Sequence, residues 1–407
     1  MEETAIFAVA LVGFAFAIVS RRIESGPLSA PIIFTATGIA IGPLGLGLID
    51  VSDSVLLEVV ATTTLALVLF EDAASIKFQG AERRSLMRRV TTRLLGLALP
   101  VTILAGAIIG KLVFPDLAWA EAFVLALVLA PTDAALSQPV FAAKGLPGPV
   151  QNALDAESGL NDGICLPLLL MALAISVEGF DMLSGSAWGR VFLGQLVMAP
   201  VYGAVIGFIG ARLIATCRSR REIGETWHSL SILALAGIAF VGSELFGGNG
   251  FLSAWAAGLV FGLNSDKEAS EPLTRFVAAE GQLLIQASFV LFGAMIVPQI
   301  MDPGAALYLL YGVLTLTVLR MAPVAVSLAG LGLAAPSKSF IGWFGPRGIP
   351  SILYLVLVVD REGFAAAGRI TDIAAMTILL SILLHGVTAT WGVAAYKKWL
   401  AKSGREY

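Results

Sequence analysis

Acidic residues set in apolar surroundings are where this sequence could do chemistry. Residues 155–163 read Asp-Ala-Glu-Ser-Gly-Leu-Asn-Asp-Gly. On a helix, Ser158 and Asp162 share a face, with Asp155 one turn back, while Glu157 and Asn161 share the neighbouring one. Counted from Pro149, Asp162 lies about 20 Å along such a helix, half-way through a bilayer. Asp133, in Ala130-Pro131-Thr132-Asp133, reaches a similar depth from the other side. A charged side chain there costs at least ~2.5–3.5 kcal/mol. An isolated carboxylate avoids that cost by holding a proton. A hard alkali cation serves equally if oxygens coordinate it, and Asp162, Asp133, Ser158 and a freed carbonyl near Thr132 are such ligands. Proton and cation then compete for one carboxylate, which is the coupling an exchanger needs.

The other charged and polar residues have plainer readings beside this one. Glu157 suits an ion pair with Arg347 or Arg320, and Asn161 a hydrogen bond to a broken helix end. Arg320 lies about two-thirds of the way inward along an apolar segment and needs a partner there. Glu71 and Asp72 fall near the cytoplasmic end of their segment. Glu58, Glu121 and Glu280 lie close to helix ends and read as interfacial. His385 reads as a packing histidine, and His228 sits near the interface. Cys165 and Cys217 lie in or beside apolar segments and make neither a disulfide framework nor a zinc site.

The elements that must position these residues are membrane helices. The 407 residues are 57% hydrophobic and only 14% charged, with a mean hydropathy of +0.87, against about 25% charged in soluble domains. A net charge of −3 leaves no electrostatic footprint for a nucleic acid. Soluble enzymes, disordered regulators and secreted disulfide-stapled domains are excluded. Thirteen apolar segments are predicted, at roughly 4–20, 28–49, 55–76, 91–113, 118–142, 149–177, 188–215, 227–246, 250–263, 274–297, 303–331, 338–359 and 371–396. The first carries Glu2 and Glu3 before it and Arg21-Arg22 after it, the wrong order for a cleaved signal peptide, so it stays a helix. If the loops after odd-numbered segments share a side with the C-terminus, twenty of the 26 Lys and Arg fall there and four opposite. That asymmetry places the N-terminus outside and the C-terminus in the cytoplasm.

Two segments carry helix breakers at mid-depth. The fifth has Ala130-Pro131-Thr132-Asp133 and then Gln138-Pro139, and the twelfth has Gly345-Pro346-Arg347-Gly348-Ile349-Pro350. Thr37 to Gly42 in segment two resembles Ala257 to Gly262 in segment nine at nearly the same offset. Segments five and twelve run in opposite directions, so the pattern is that of an inverted repeat with a binding site at broken helices. The fold class expected is an all-α polytopic membrane protein with 13 transmembrane helices, inverted repeats and two broken crossing helices.

Pro131-Thr132-Asp133, Glu157 to Asp162 and Gly345-Pro346-Arg347-Gly348, each in its proper segment, together resemble the NhaP-type sodium/proton antiporters of the first monovalent cation/proton antiporter family. That family is related to the eukaryotic sodium/proton exchangers. The resemblance implies a homodimer in membrane lipid, in the inner membrane of a prokaryote. Scaffold helices would span 1–78 and 188–297 and core helices 91–178 and 303–399, with 400–407 as a short cytoplasmic tail and no soluble regulatory domain. It implies that Asp162 binds the cation and the proton, helped by Asp133, Ser158 and the Thr132 backbone. Glu157 would pair with Arg347, Asn161 would steady the crossing, and Glu71 would line the cytoplasmic approach. Asn161 before Asp162, in place of a second aspartate, resembles the electroneutral branch. No cofactor is expected beyond the transported monovalent cation (sodium, with lithium or potassium as alternatives) and the proton, and no nucleic-acid partner. The rival readings are a sodium-coupled organic-anion symporter and an intramembrane aspartyl protease. The protease would want Tyr-Asp and Gly-x-Gly-Asp motifs, which are absent.

Overall fold

A computed structural model of the chain describes residues 2–24, 26, 28–49, 54–75, 84–133, 136–137, 140, 145–179, 189, 191–265, 281–300 and 304–403. Gln138-Pro139 of the fifth segment, the loop residues Lys77, Arg83, Lys144, Arg190, Lys267 and Arg275, and Glu280 and Arg405 lie outside these. Among the described residues all regular structure is helical.

In chain order the helices are α1 (Glu2–Glu24), α2 (Ala30–Ile41), α3 (Ser54–Ser75), α4 (Arg84–Arg93) and α5 (Leu99–Val113), the last two joined by a π-helical turn, Leu94–Ala98. Then come α6 (Trp119–Val128), α7 (Gly148–Glu178), α8 (Ala199–Ser219), α9 (Glu225–Leu245), α10 (Gly250–Asn264) and α11 (Gln282–Leu291). The last are α12 (Ala305–Leu316), α13 (Val318–Ser327), α14 (Ala335–Trp343), α15 (Ile349–Val359) and α16 (Ala367–Ser403). Eight helical stretches among the described residues are long and apolar enough to cross a membrane, and α2, α6, α10 and α15 are shorter apolar helices. Prolines mark several starts: Pro31, Pro149, Pro336 and Pro350 occupy first turns, where the missing N–H has no helical acceptor to serve.

The polarity is that of a protein solvated by lipid. Ile6, Phe7, Phe14 and Ile18 of α1 and Leu213 of α8 are exposed, while Thr132, Asp133, Glu157, Asp162, Arg320 and Arg347 are buried. Water would penalise that outer surface, whereas a bilayer would not.

Helices approach closely where side chains vanish. A Cβ on Gly38 of α2 would fall 2.0 Å from the carbonyl oxygen of Val290 in α11, and one on Gly258 of α10 would fall 2.0 Å from that of Phe70 in α3. One turn on, Gly42 meets Ala294 and Gly262 meets Ala74 in the same way. Each residue of the second set lies 220 positions from its counterpart in the first, with the partners exchanged between the two halves of the chain. Helix α10 also lies backbone to backbone with α8, at Gly203 and Gly207, and Ser253 Oγ donates to the Ala239 carbonyl of α9. Phe70, Ala211, Ile232, Ala236, Ala257 and Phe261 fill a separate apolar cluster between these helices.

Segment two is shorter than the sequence suggests. Its helix stops at Ile41, and Gly42 to Gly47 turn, with Gly47 at φ +61°. Segment eleven divides at Thr317, which leaves helical geometry (φ −108°, ψ −88°) between α12 and α13.

Candidate functional site

Helix α6 ends at Val128, and Leu129 to Asp133 follow as non-helical chain. Pro131 brings no N–H and disfavours helical geometry in the residue before it. In the second half, α14 ends at Trp343 and α15 starts at Ile349, with Phe344 to Gly348 non-helical between them. The two irregular stretches meet. The Asp133 N–H donates to the Pro346 carbonyl at 2.9 Å, and the Ile349 N–H donates to Asp133 Oδ2 at 2.8 Å. In return Arg347 Nη1 donates to the carbonyls of Ala130 and of Pro131 (2.9 Å for the latter).

Each charge therefore serves the other half's helix end. The Asp133 carboxylate sits at the amide end of α15, and the Arg347 guanidinium at the carbonyl end of α6, the favourable sign at both. Backbone groups that lipid would leave unsatisfied are thereby satisfied. The sequence reading treats Asp133 chiefly as an ion ligand, whereas here at least one of its oxygens is committed to helix capping. Gly348 is required by this contact, since a Cβ there would lie 1.9 Å from Asp133 Oδ2.

Glu157 corrects one expectation. Its partner is Arg320, not Arg347: Arg320 Nη1 and Nη2 donate to Glu157 Oε1 and Oε2 at 2.5 and 2.8 Å, a two-pronged pair buried on both sides. Arg347 turns Nη1 to the carbonyls of the break, and its Nε and Nη2 have no hydrogen-bond partner. The interruption at Thr317 starts α13 one turn before Arg320, and α13 turns that side chain inward. The guanidinium also rests on the break itself, because a Cβ on Gly345 would lie 2.6 Å from Arg320 Nε.

Asn161 Nδ2 donates to Thr132 Oγ1 at 2.7 Å, and the hydroxyls of Thr132 and Ser158 lie 3.1 Å apart. The α7 face that bears Ser158 and Asn161 is thus fastened to the irregular chain before Asp133. Asp162, one residue on, is 1% exposed, yet neither carboxylate oxygen has a hydrogen-bond partner. Leaving a buried ionised carboxylate so is among the costliest arrangements available to a protein. Glu71 is half-buried on α3, which packs against α7 and α15. Among the described residues no group of three or more His, Cys, Asp or Glu is set to hold a metal ion.

Three participants escape the sequence reading. Ser381 of α16 accepts the Arg347 N–H at 2.6 Å, Tyr354 of α15 donates its hydroxyl proton to the Asp162 carbonyl at 3.1 Å, and Trp255 of α10 donates to the Gly159 carbonyl at 3.1 Å. Two of the three contacts end on backbone carbonyls and the third on a backbone N–H, which carry no residue signature. Only Tyr354, a lone polar tip in the run Ile352 to Val359, gives a hint. His385 is satisfied, Nε2 lying 2.9 Å from the Trp343 carbonyl and Nδ1 beside Ser381.

Two non-helical stretches exchange capping charges beside a buried aspartate whose oxygens have no hydrogen-bond partner, and residues 6–395 match the transmembrane sodium/hydrogen exchanger family. The chain belongs to this family. Among curated proteins it is similar to the K+/H+ antiporter NhaP2 of Shewanella sp. (strain ANA-3), 25% identical over 401 residues that cover 96% of this chain and 67% of that protein. It is also similar to a probable Na+/H+ antiporter of Schizosaccharomyces pombe, 26% identical over 364 residues that cover 81% of this chain and 45% of that one. The fold is shared with the sodium proton antiporter MjNhaP1 from Methanocaldococcus jannaschii at pH 8, with a TM-score of 0.77 and 22% identity over 95% of this chain and all of that one. The antiporter family groups this chain with transporters, not enzymes.

Proposed function

We propose that the chain exchanges a monovalent cation, sodium or alternatively lithium or potassium, for a proton by alternating access, one charge for one charge. The observation that carries this reading is Asp162, buried and with both oxygens unpartnered. Its charge is tolerated in lipid only when a proton or a cation cancels it. A carrier that changes its facing only with Asp162 neutralised moves one or the other on each passage, and the two fluxes are coupled. Ser158, Thr132 and a carbonyl of the 130–133 stretch supply hard oxygens within the same cluster, and Glu71 marks the approach. A single titrating carboxylate, with Asn161 before it, supports electroneutral exchange.

The architecture we infer has 13 spans, the fifth and twelfth broken and crossing. The exchanged glycine contacts at a constant 220-residue offset support two halves of opposite orientation. Helices α4 to α7 and α12 to α16 form the moving core, and α1 to α3 and α8 to α11 the scaffold of a homodimer. The basic-residue asymmetry supports a plasma-membrane orientation with the N-terminus outside and the C-terminus in the cytoplasm.

Purified protein in proteoliposomes enclosing a pH dye tests this. Addition of sodium, lithium or potassium to one side should drive protons across for the wild type, and Asp162→Asn should abolish the response while folding normally. Wild-type rates from the folded variant would refute it.

A further inference from the structure

Helix α10 is held in two different ways. Towards α3 and α8 the contacts are backbone on backbone: Gly203 against Ser253, Gly207 against Ala257, Gly258 against Phe70 and Gly262 against Ala74. Contacts of that kind leave no room to slide, because each carbonyl sits where a side chain would be. Towards α7, which carries Asp162, α10 reaches with the Trp255 side chain. The indole N–H donates to the Gly159 carbonyl at 3.1 Å, and the ring covers Gly163, where a Cβ would fall 2.2 Å from it. The ring thus lies in a notch made by two glycines on α7 that flank Asp162, one residue beyond Ser158 at one end and one residue beyond Asp162 at the other.

This bond can be broken cheaply. Gly159 lies inside the continuous helix α7, so its carbonyl already serves the helix's own ladder and stays satisfied when the indole leaves. Trp255 is itself half-buried, and the cost of releasing the bond falls on its indole N–H alone. Pro167 offers no N–H to the Gly163 carbonyl, which loosens α7 beside the notch.

We propose that Trp255 is a latch: its indole N–H holds α7 against the fixed α10 in the facing state seen here and lets go when α7 moves to open Asp162 to the other side. It is a positioning residue, touching neither cation nor proton, and the inference rests on the alternating-access reading. A contact made in one facing state biases the equilibrium between the two states by its own strength. One net hydrogen bond corresponds to about a five-fold bias.

The test is transport by Trp255→Phe, which keeps a ring and loses the N–H, and by Gly163→Ala, which pushes the ring from its notch. The apparent KM of whichever alkali cation the wild type exchanges is measured from each face, in right-side-out and inside-out vesicles. Both variants should shift the ratio of the two KM values about five-fold in the same direction, with W255F keeping the wild-type unfolding temperature in detergent. A merely structural tryptophan would lower that temperature and leave the ratio alone. Ratios unchanged in both variants, or a W255F that does not fold, would overturn the latch. Absence of exchange by the wild type would instead overturn the antiport reading, so the two failures are told apart.

Discussion

Asp162 and the Glu157–Arg320 pair show two ways of keeping charge inside a membrane. The pair is closed, each group meeting the other through two hydrogen bonds, while neither oxygen of the aspartate has a hydrogen-bond partner. Breaking the pair by Arg320→Ala or Glu157→Gln should destabilise the protein by about 3–5 kcal/mol, because an unpaired buried charge remains. Removing both charges together, as Glu157→Leu with Arg320→Met, should restore most of that loss. Thermal unfolding in detergent measures both, and additive losses in the double variant would contradict a direct pair. If proton and cation share Asp162 as proposed, acidification should raise the apparent KM for the cation, tenfold per pH unit once the carboxyl is mostly protonated. A KM flat with pH would separate the two binding sites. The place of Asp162 well inside a long helix was legible in the sequence from its distance to Pro149. The partner of Glu157 was not, because two arginines compete for it and the choice depends on Arg347 being drawn to the Ala130 and Pro131 carbonyls.

At the scale of elements, two non-helical stretches, one after α6 and one between α14 and α15, cap each other's helices. Both were legible, since proline and glycine with a charge among them are costly in a membrane helix unless backbone groups find partners. What the charges do there was legible only in sign. That Asp133 caps α15 and Arg347 caps α6 is a three-dimensional fact, visible in the Ile349–Asp133 and Arg347–Pro131 contacts. The interruption at Thr317 carried no such signal, because threonine is common in membrane helices. Gly348→Ala tests the capping exchange. Its methyl would displace the Asp133 carboxylate from the Ile349 N–H, at a cost of about 0.5–2 kcal/mol for a lost helix cap, with a fall in transport rate. Gly96, where an added Cβ meets nothing within 4 Å, provides the control: Gly96→Ala should leave rate and stability unchanged. Equal behaviour of the two variants would mean that the cap is dispensable.

The whole molecule is a lipid-solvated helix assembly whose halves grip each other through matched glycines, Gly38 on Val290 and Gly258 on Phe70. Its membrane character followed from composition, and the relation between the halves from the likeness of residues 37–42 to 257–262. The identity of the gripped helices did not, because the carbonyls of Val290 and Phe70 carry no sequence mark. One carboxylate exchanging one cation for one proton moves no net charge per cycle. An imposed membrane potential should therefore leave the exchange rate in proteoliposomes unchanged, and a rate that scales with the potential would require a second charge. The most direct measurement is calorimetric titration of the purified protein with the transported cation, in two buffers of different ionisation enthalpy. One proton released per cation bound by the wild type, and neither binding nor release by Asp162→Asn, is the result expected of a single shared carboxylate. Cation binding without proton release, or release undiminished in Asp162→Asn, would contradict it.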